Sequence, residues 1–189
     1  MKFFLIFFVL ILVNSCSTSK KWESVKIDSE LKFNPEFKKL DFQNELFDFD
    51  SWSKNDAIFK KSSDIHYTIE YPEFNEAVEA KTKCRSHFHK KKLVVYCGNN
   101  NGFGGEGFTI SYQDKKFLIK EKGHTDVMIL YEPKQEIILQ SLILDKETYK
   151  EGDSIYGYVD FKIIRTDIEN FVSIHEGKGY FRSQISKRK

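Results

Sequence analysis

Through most of the chain beyond residue 80, apolar and polar positions alternate in short runs, the period of a half-buried strand. This pattern predicts strands over Ala80–Phe88, Leu93–Cys97, Phe108–Tyr112, Phe117–Glu121, Val127–Tyr131, Glu136–Leu144, Ser154–Arg165, Glu169–His175 and Tyr180–Ile185. The links between them are short and rich in turn formers: Gln113–Lys116, Glu132–Lys134, Glu151–Asp153 and Glu176–Gly179. Upstream, Ile65, Tyr67, Ile69 and Tyr71 alternate with His66, Thr68 and Glu70, and Pro72 ends the run. Residues 22–76 otherwise carry aromatics without a clear period. There, Asn34 as cap and Pro35 at the first position predict one helical turn over Pro35–Leu40. Many short strands without intervening helices predict an all-β fold, an antiparallel β-sandwich of immunoglobulin-like or related type, with short helices only in the N-terminal third.

The start of the chain breaks this pattern. Lys2 precedes an unbroken apolar run, Phe3–Val13. Its length suits the apolar core of a secretory signal, roughly 7–15 residues, and falls short of the about 20 needed to span a bilayer. The run stops at Asn14-Ser15-Cys16. Leu12-Val13-Asn14-Ser15-Cys16 resembles the lipobox of bacterial lipoprotein precursors: Val13 stands three before the cysteine, Ser15 is small, and Asn14 stands where that family usually has a smaller residue. The resemblance covers residues 1–16. It implies a signal peptide over 1–15, removed before Cys16, and a Cys16 carrying a diacylglyceryl thioether and an acylated amine (palmitate or a similar chain). More than one acyl chain is what stable attachment requires, at about 0.8 kcal/mol per buried CH₂. The alternative is a plain cleaved signal with Cys16 incidental. Residues 16–21, the lipidated Cys and a polar run, then form a tether, and 22–189 form a single β-rich domain. Tyr149–Gly157, with its Tyr-x-x-Gly-Asp start, is similar to the strand entry of many immunoglobulin-like sandwiches, over nine residues.

Composition narrows the partners. Eighteen Phe and nine Tyr suit a β core. The chain holds 30 basic and 28 acidic residues; without residues 1–15, which contain Lys2 and no acid, the balance is 29 to 28. Near neutrality gives no reason to expect nucleic acid as a partner.

Candidate chemistry is sparse. A hairpin turning about Lys90-Lys91 pairs residues whose numbers sum to 181, so Cys84 faces Cys97, Ser86 faces Val95 and Phe88 faces Leu93. Directly opposed Cα atoms lie about 4.5–5.5 Å apart, within disulfide range, in an exported domain where disulfides persist. A Cys84–Cys97 disulfide is expected, with two buried thiols as the alternative. The same register sends His87 and His89 to the opposite face, which disfavours a Cys₂His₂ metal site. That outer face, with Lys81, Lys83, Arg85 and Lys90–Lys92, reads as an edge strand protected by charge or as a patch for an anionic ligand. Gly102–Gly107 resembles a phosphate-binding loop, yet a strand pattern follows it and not the helix such loops need; a surface loop over Gly98–Gly107 is expected. Phe103 in that loop and Trp52 upstream are candidate ligand contacts. Asp41, Glu45, Asp48 and Asp50 read as a solvated acidic face.

No nucleophile elbow and no zinc-protease helix occur, and the five histidines, 66, 87, 89, 124 and 175, are scattered. The sequence therefore predicts no catalytic residues, no metal and no cofactor. It points to a membrane-anchored protein of the bacterial cell envelope, at the outer membrane, with a periplasmic or cell-surface domain. That domain would bind an unidentified protein or glycan or serve a structural role. An envelope inhibitor or immunity lipoprotein is the alternative, and a hydrolase with a site assembled from distant residues a third.

Overall fold

The alternating runs fold as strands in a computed structural model that describes residues 21–43, 60–99, 104–125 and 132–186. In chain order these are β1 (Glu23–Ser24), β2 (Lys26–Ile27), α1 (Pro35–Asp41), β3 (Ser63–Tyr71), β4 (Glu76–Ala80), β5 (Lys83–His89), β6 (Lys92–Gly98), β7 (Gly104–Gly105), β8 (Gly107–Gln113), β9 (Lys116–Glu121), β10 (His124–Thr125), β11 (Lys134–Leu144), β12 (Ser154–Thr166) and β13 (Val172–Ser186). The fold is all-β, and among the described residues helix is limited to short turns and α1. The strand expected over Val127–Tyr131 lies outside the described residues.

Among the described residues, eleven strands join in one sheet, bonded in the order β1-β9-β8-β6-β5-β13-β12-β11-β2, with β3 on β13 and β4 on β3. The two ends of this path are neighbours in the chain, because Val25 alone separates β1 from β2. The Val25 N–H donates to Lys115 O at 3.0 Å and the Asp28 N–H to Leu144 O at 2.9 Å, so one short segment borders β9 on one side and β11 on the other. The sheet is nearly closed and barrel-like. This differs from the two stacked sheets expected, and the reason is local: closure depends on a change of partner at Val25 that leaves no periodic trace.

Side chains complete the seam. Gln140 on β11 is 4% exposed. Its Oε1 accepts the Ile119 N–H of β9 at 3.0 Å, and its Nε2 donates to Lys21 O at 2.7 Å. A buried glutamine that meets both needs stands in for ladder bonds that the backbones do not make there.

The interior is apolar. Val95, Phe108, Ile110, Phe117, Ile119, Leu142, Val159, Phe161, Ile163 and Phe181 all lie at or below 2% exposure. The Phe108 and Phe161 rings meet at 4.5 Å. Two glycines make room for large rings directly opposite them: Gly157 faces Phe181 and Gly177 faces Phe161. A methyl group on Gly177 would fall 2.3 Å from the Phe161 ring, and one on Gly157 2.2 Å from that of Phe181.

That packing corrects one expectation. Glu176–Gly179 is not a turn; β13 runs through it unbroken, paired with β12 from Val172 to Gln184 and with β3 from Ile174 to Phe181. Gly179, at φ +151, lets the Asp64 carbonyl approach where a Cβ would stand 2.0 Å from it. The glycines serve close approach within the sheet, a role that resembles a turn in sequence.

α1 covers the outside. Asn34 accepts the Glu36 N–H at 3.0 Å as the cap, and Pro35 occupies the first turn, as the sequence predicts. Phe37 and Leu40 turn inward, and Phe37 meets the edges of Tyr156 and Tyr180 at 5.1 and 5.6 Å. Asp41 pairs with Arg182 at 2.6 Å, so this member of the expected acidic face helps dock the helix. Glu45, Asp48 and Asp50 lie outside the described residues. Before β12, Gly152 takes a left-handed φ of +87, and Asp153 accepts the Lys150 N–H. The Tyr-x-x-Gly-Asp entry is thus a local turn device.

Candidate functional site

The inward series of each strand is apolar until one end of the barrel, where it becomes polar. β12 carries Phe161 and Ile163 inward, and then Arg165 at the same parity. Register sets Gln135 of β11 opposite Arg165, and Arg165 opposite Ser173 of β13. Gln135, Arg165 and Ser173 therefore form one row across three strands. His175 lies one step deeper, between Ile163 and Ile69. Tyr67 of β3, Glu121 at the end of β9, and Glu106 between β7 and β8 complete the mouth.

Within this group, Tyr67, His175 and Ser173 form a chain. Tyr67 OH donates to Gly107 O at 3.3 Å, which leaves its oxygen to accept from His175 Nδ1 at 2.9 Å. His175 Nε2 then accepts from Ser173 Oγ, also at 2.9 Å. The tautomer is assigned from these partners. His175 is 2% exposed. Burial, and then the nearby Arg165 charge, lower its pKa to about 4. Burial likewise raises Tyr67, helped by the charges of Glu121 and Glu106.

The second half of the mouth is charged. Burial pushes both Glu106 and Glu121 above the usual carboxylate range, and Arg165 opposes the shift in each. Glu121 Oε1 accepts the Gly123 N–H at 2.6 Å, and Gln135 Nε2 donates to Glu121 O at 3.0 Å. The Glu121 and Glu106 carboxylates both border Gly123: the site of a Cβ there lies 3.3 Å from one and 3.6 Å from the other. Arg165 Nε stands 3.3 Å from Glu121 Oε2, an ion-pair distance. It makes no hydrogen bond, and neither does Gln135 Oε1, although both atoms are buried. Each buried polar atom left without a partner costs about 1–3 kcal/mol. Among the described residues the mouth thus holds one donor and one acceptor without hydrogen bonds, beside a carboxylate pair.

No family model, curated protein or solved structure matches this chain.

Its chemistry therefore rests on its own residues. Cys84 and Cys97 stand opposite each other and form a disulfide, with Cα atoms 4.2 Å apart. The Cys84 N–H donates to Ser62 Oγ at 2.8 Å and not across to Cys97, which is why this pair sits so close. Both cysteines are buried, while His87 and His89 are exposed. Among the described residues no three His, Cys, Asp or Glu side chains gather as metal ligands. β5 is not a free edge: it is bonded to β6 along its length and to β13 at Ser86 and His87. Gly104–Gly105 pairs with β10 and Gly107 opens β8, so the glycine-rich stretch leads into strands, with no helix to cradle phosphate. Trp22 carries the Lys92 ammonium 5.9 Å from its ring centre. Cys16, Trp52 and Phe103 lie outside the described residues.

Sequence reading missed Ser173, His175, Arg165, Glu121 and Glu106 as a group. A signal existed: Arg165, Ser173 and His175 are polar residues at inward positions of otherwise apolar series. It was hidden by the false break at Glu176–Gly179, which removed the strand parity that aligns His175 with Phe181.

Proposed function

We propose that this chain is a lipid-anchored protein of the bacterial cell envelope, held at the outer membrane through Cys16, whose barrel-like domain binds a partner without catalysis. The observation that carries the binding role is the incompletely satisfied mouth: Arg165 Nε and Gln135 Oε1 are buried without hydrogen bonds beside the raised Glu106 and Glu121. A polar ligand that donates to Gln135 Oε1 and accepts from Arg165 would relieve both. The mouth of a β-barrel is a common place for such a site. A glycan or a protein side chain offers both kinds of group. The inhibitor or immunity alternative uses the same mouth with a protein as ligand.

Two measurements test this. Cells fed labelled palmitate should label the chain, and Cys16→Ala should abolish the label; equal labelling of the variant sinks the anchor. For the mouth, a tagged chain is used to capture partners from envelope extract, beside Glu106→Gln/Glu121→Gln. The bound species should be lost from the variant while its circular dichroism stays unchanged. Identical capture by both would count against the mouth as the site.

One observation favours a hydrolase: Ser173 Oγ lies 2.9 Å from His175 Nε2. Against it, Ser173 is 3% exposed, His175 leans on a tyrosine where a triad has a carboxylate, and a nucleophile must reach its substrate. A fluorophosphonate probe that labelled Ser173 would establish the hydrolase and overturn the non-catalytic reading.

A further inference from the structure

Two turns meet at the mouth end of the barrel and expose large apolar side chains. Phe74 follows β3 and is 63% exposed; Ile168 and Phe171, between β12 and β13, are 69% and 44% exposed. The rings of Phe74 and Phe171 stack at 5.9 Å with an interplanar angle of 29°. Phe171 stands two residues before Ser173, in step with the inward series of β13. Asp167 fixes it there: its Oδ1 accepts the Phe171 N–H at 2.9 Å, and its own N–H donates to Phe171 O at 3.1 Å. The two rings form an apolar lip on the mouth, and contiguous exposed apolar groups of this kind mark interaction sites.

The lip is acidic. Residues 72–76 and 167–171 contain Glu73, Glu76, Asp167 and Glu169 and no Lys or Arg. Lys134, level with Thr166, and Lys122, next to Glu121, are exposed bases nearby; four acids on the two turns outnumber them. Within the mouth, Glu106 and Glu121 face one guanidinium, that of Arg165, while His175 is neutral. Two carboxylates against one cation leave an excess negative charge, and a charge held away from water without a partner is costly. Among the described residues none donates a hydrogen bond to the Glu106 carboxylate; the Arg165 charge alone offsets its burial. Gln135 Oε1 is a further acceptor, buried and without a donor.

The group that completes this mouth is therefore a cation with several N–H donors. A lysine ammonium has three donors and no acceptor. Its stem lies along apolar surface while its head stays among polar groups, which suits a mouth lipped by two phenyl rings. Peptide carbonyls beside such a lysine can accept from Arg165 Nε. A neutral sugar brings hydroxyls and leaves the charge excess in place. We propose that the mouth receives a lysine side chain of a protein partner, its stem on Phe74 and Phe171 and its ammonium between Glu106, Glu121 and Gln135 Oε1. This rests on the mouth as the binding site proposed above.

The test titrates the chain purified from cells with a capped tripeptide of alanine, lysine and alanine. Its counterpart with norleucine keeps the stem and lacks the ammonium. NMR follows the Arg165 Nε–H and the Ile168 methyl signals. The lysine peptide should shift both and bind about tenfold more tightly than the norleucine peptide, as a hydrogen bond to a charged group implies. Glu106→Gln/Glu121→Gln should abolish that preference, whereas Phe74→Ser/Phe171→Ser should weaken both peptides alike. Equal binding of the two peptides, or binding of neither, overturns the lysine. Tri-N-acetylglucosamine that shifts the Arg165 signal in place of the lysine peptide, and not in the glutamate variant, would keep the mouth as a site and overturn the lysine in favour of a glycan. Capture of the same envelope species by the parent and the glutamate variant overturns the mouth itself, and this assignment with it.

Discussion

His175 concentrates the residue-scale physics of this domain. It is enclosed by Tyr67 and Ser173 and held neutral, with its pKa lowered to about 4 by burial and by Arg165. An unfolded histidine titrates near 6.5. Because the folded value is the lower one, the unfolded chain binds the extra proton between these two values. The neutral ring's contribution is complete above about pH 6.5 and is lost as pH falls towards 4, by about 3 kcal/mol in all. Glu106 and Glu121 act in the opposite sense: their raised values favour the fold below the ordinary carboxylate pKa, and that contribution is lost as pH rises through their folded values. Comparison with His175→Gln separates the two. Urea midpoints of the parent chain should fall more steeply than those of the variant between pH 7 and pH 4.5. Parallel curves, or a ring that titrates near 6.5 by NMR, would show His175 to be solvated.

At the scale of elements, the hairpin β5–β6 is the part where register could be argued in advance. Two-residue links and strict alternation fix which residues oppose, and a slip by one would send Leu93 and Val95 to the solvent face. The observed partners, Ser86 with Val95 and Phe88 with Leu93, are those the hairpin about Lys90-Lys91 predicts. Lys90 takes a φ of 58 to make that turn. The cysteines close a loop with a separation of 13 residues, worth roughly 3 kcal/mol in the chain-entropy model, whose mechanism is disputed. Cys84→Ala and Cys97→Ala should each lower stability by about this amount, and the double variant no further. Intact-mass analysis of exported protein without reductant should find no alkylatable thiol at either position; two free thiols would remove the bond and its stability.

For the whole molecule, the decisive feature is closure. Glu23–Ile27 fills the gap between β9 and β11, and Gln140 carries the seam where backbones do not meet. Without this segment two strand edges face water, the usual template for aggregation. A chain beginning at residue 29 should lose at least three hydrogen bonds of about 1 kcal/mol each, those from Val25 and Asp28 to the barrel and that from Gln140 to Lys21, and should expose the bond from Ile119 to Gln140. Its denaturation midpoint should fall accordingly and it should aggregate, whereas a chain beginning at residue 17 should not. Equal midpoints for the two would mean that the barrel does not depend on its first strands.

The sequence by itself determined what local periodicity can encode. Alternation of two placed β3, β6, β8, β9, β11 and β12 within a few residues, the Asn34-Pro35 pair placed α1, and hairpin arithmetic set Cys84 against Cys97. These depend on neighbours a few positions apart, where side-chain direction follows from backbone geometry alone. Only the tertiary structure decided the rest. Gly177 and Gly179 look like a turn until Phe161 and the Asp64 carbonyl occupy the space they leave. β1 and β2 are too short to have a period. The mouth gathers Glu106, Glu121, Gln135, Arg165, Ser173 and His175 from strands far apart in the chain, and their proximity comes from the closing of the sheet, which no local pattern records.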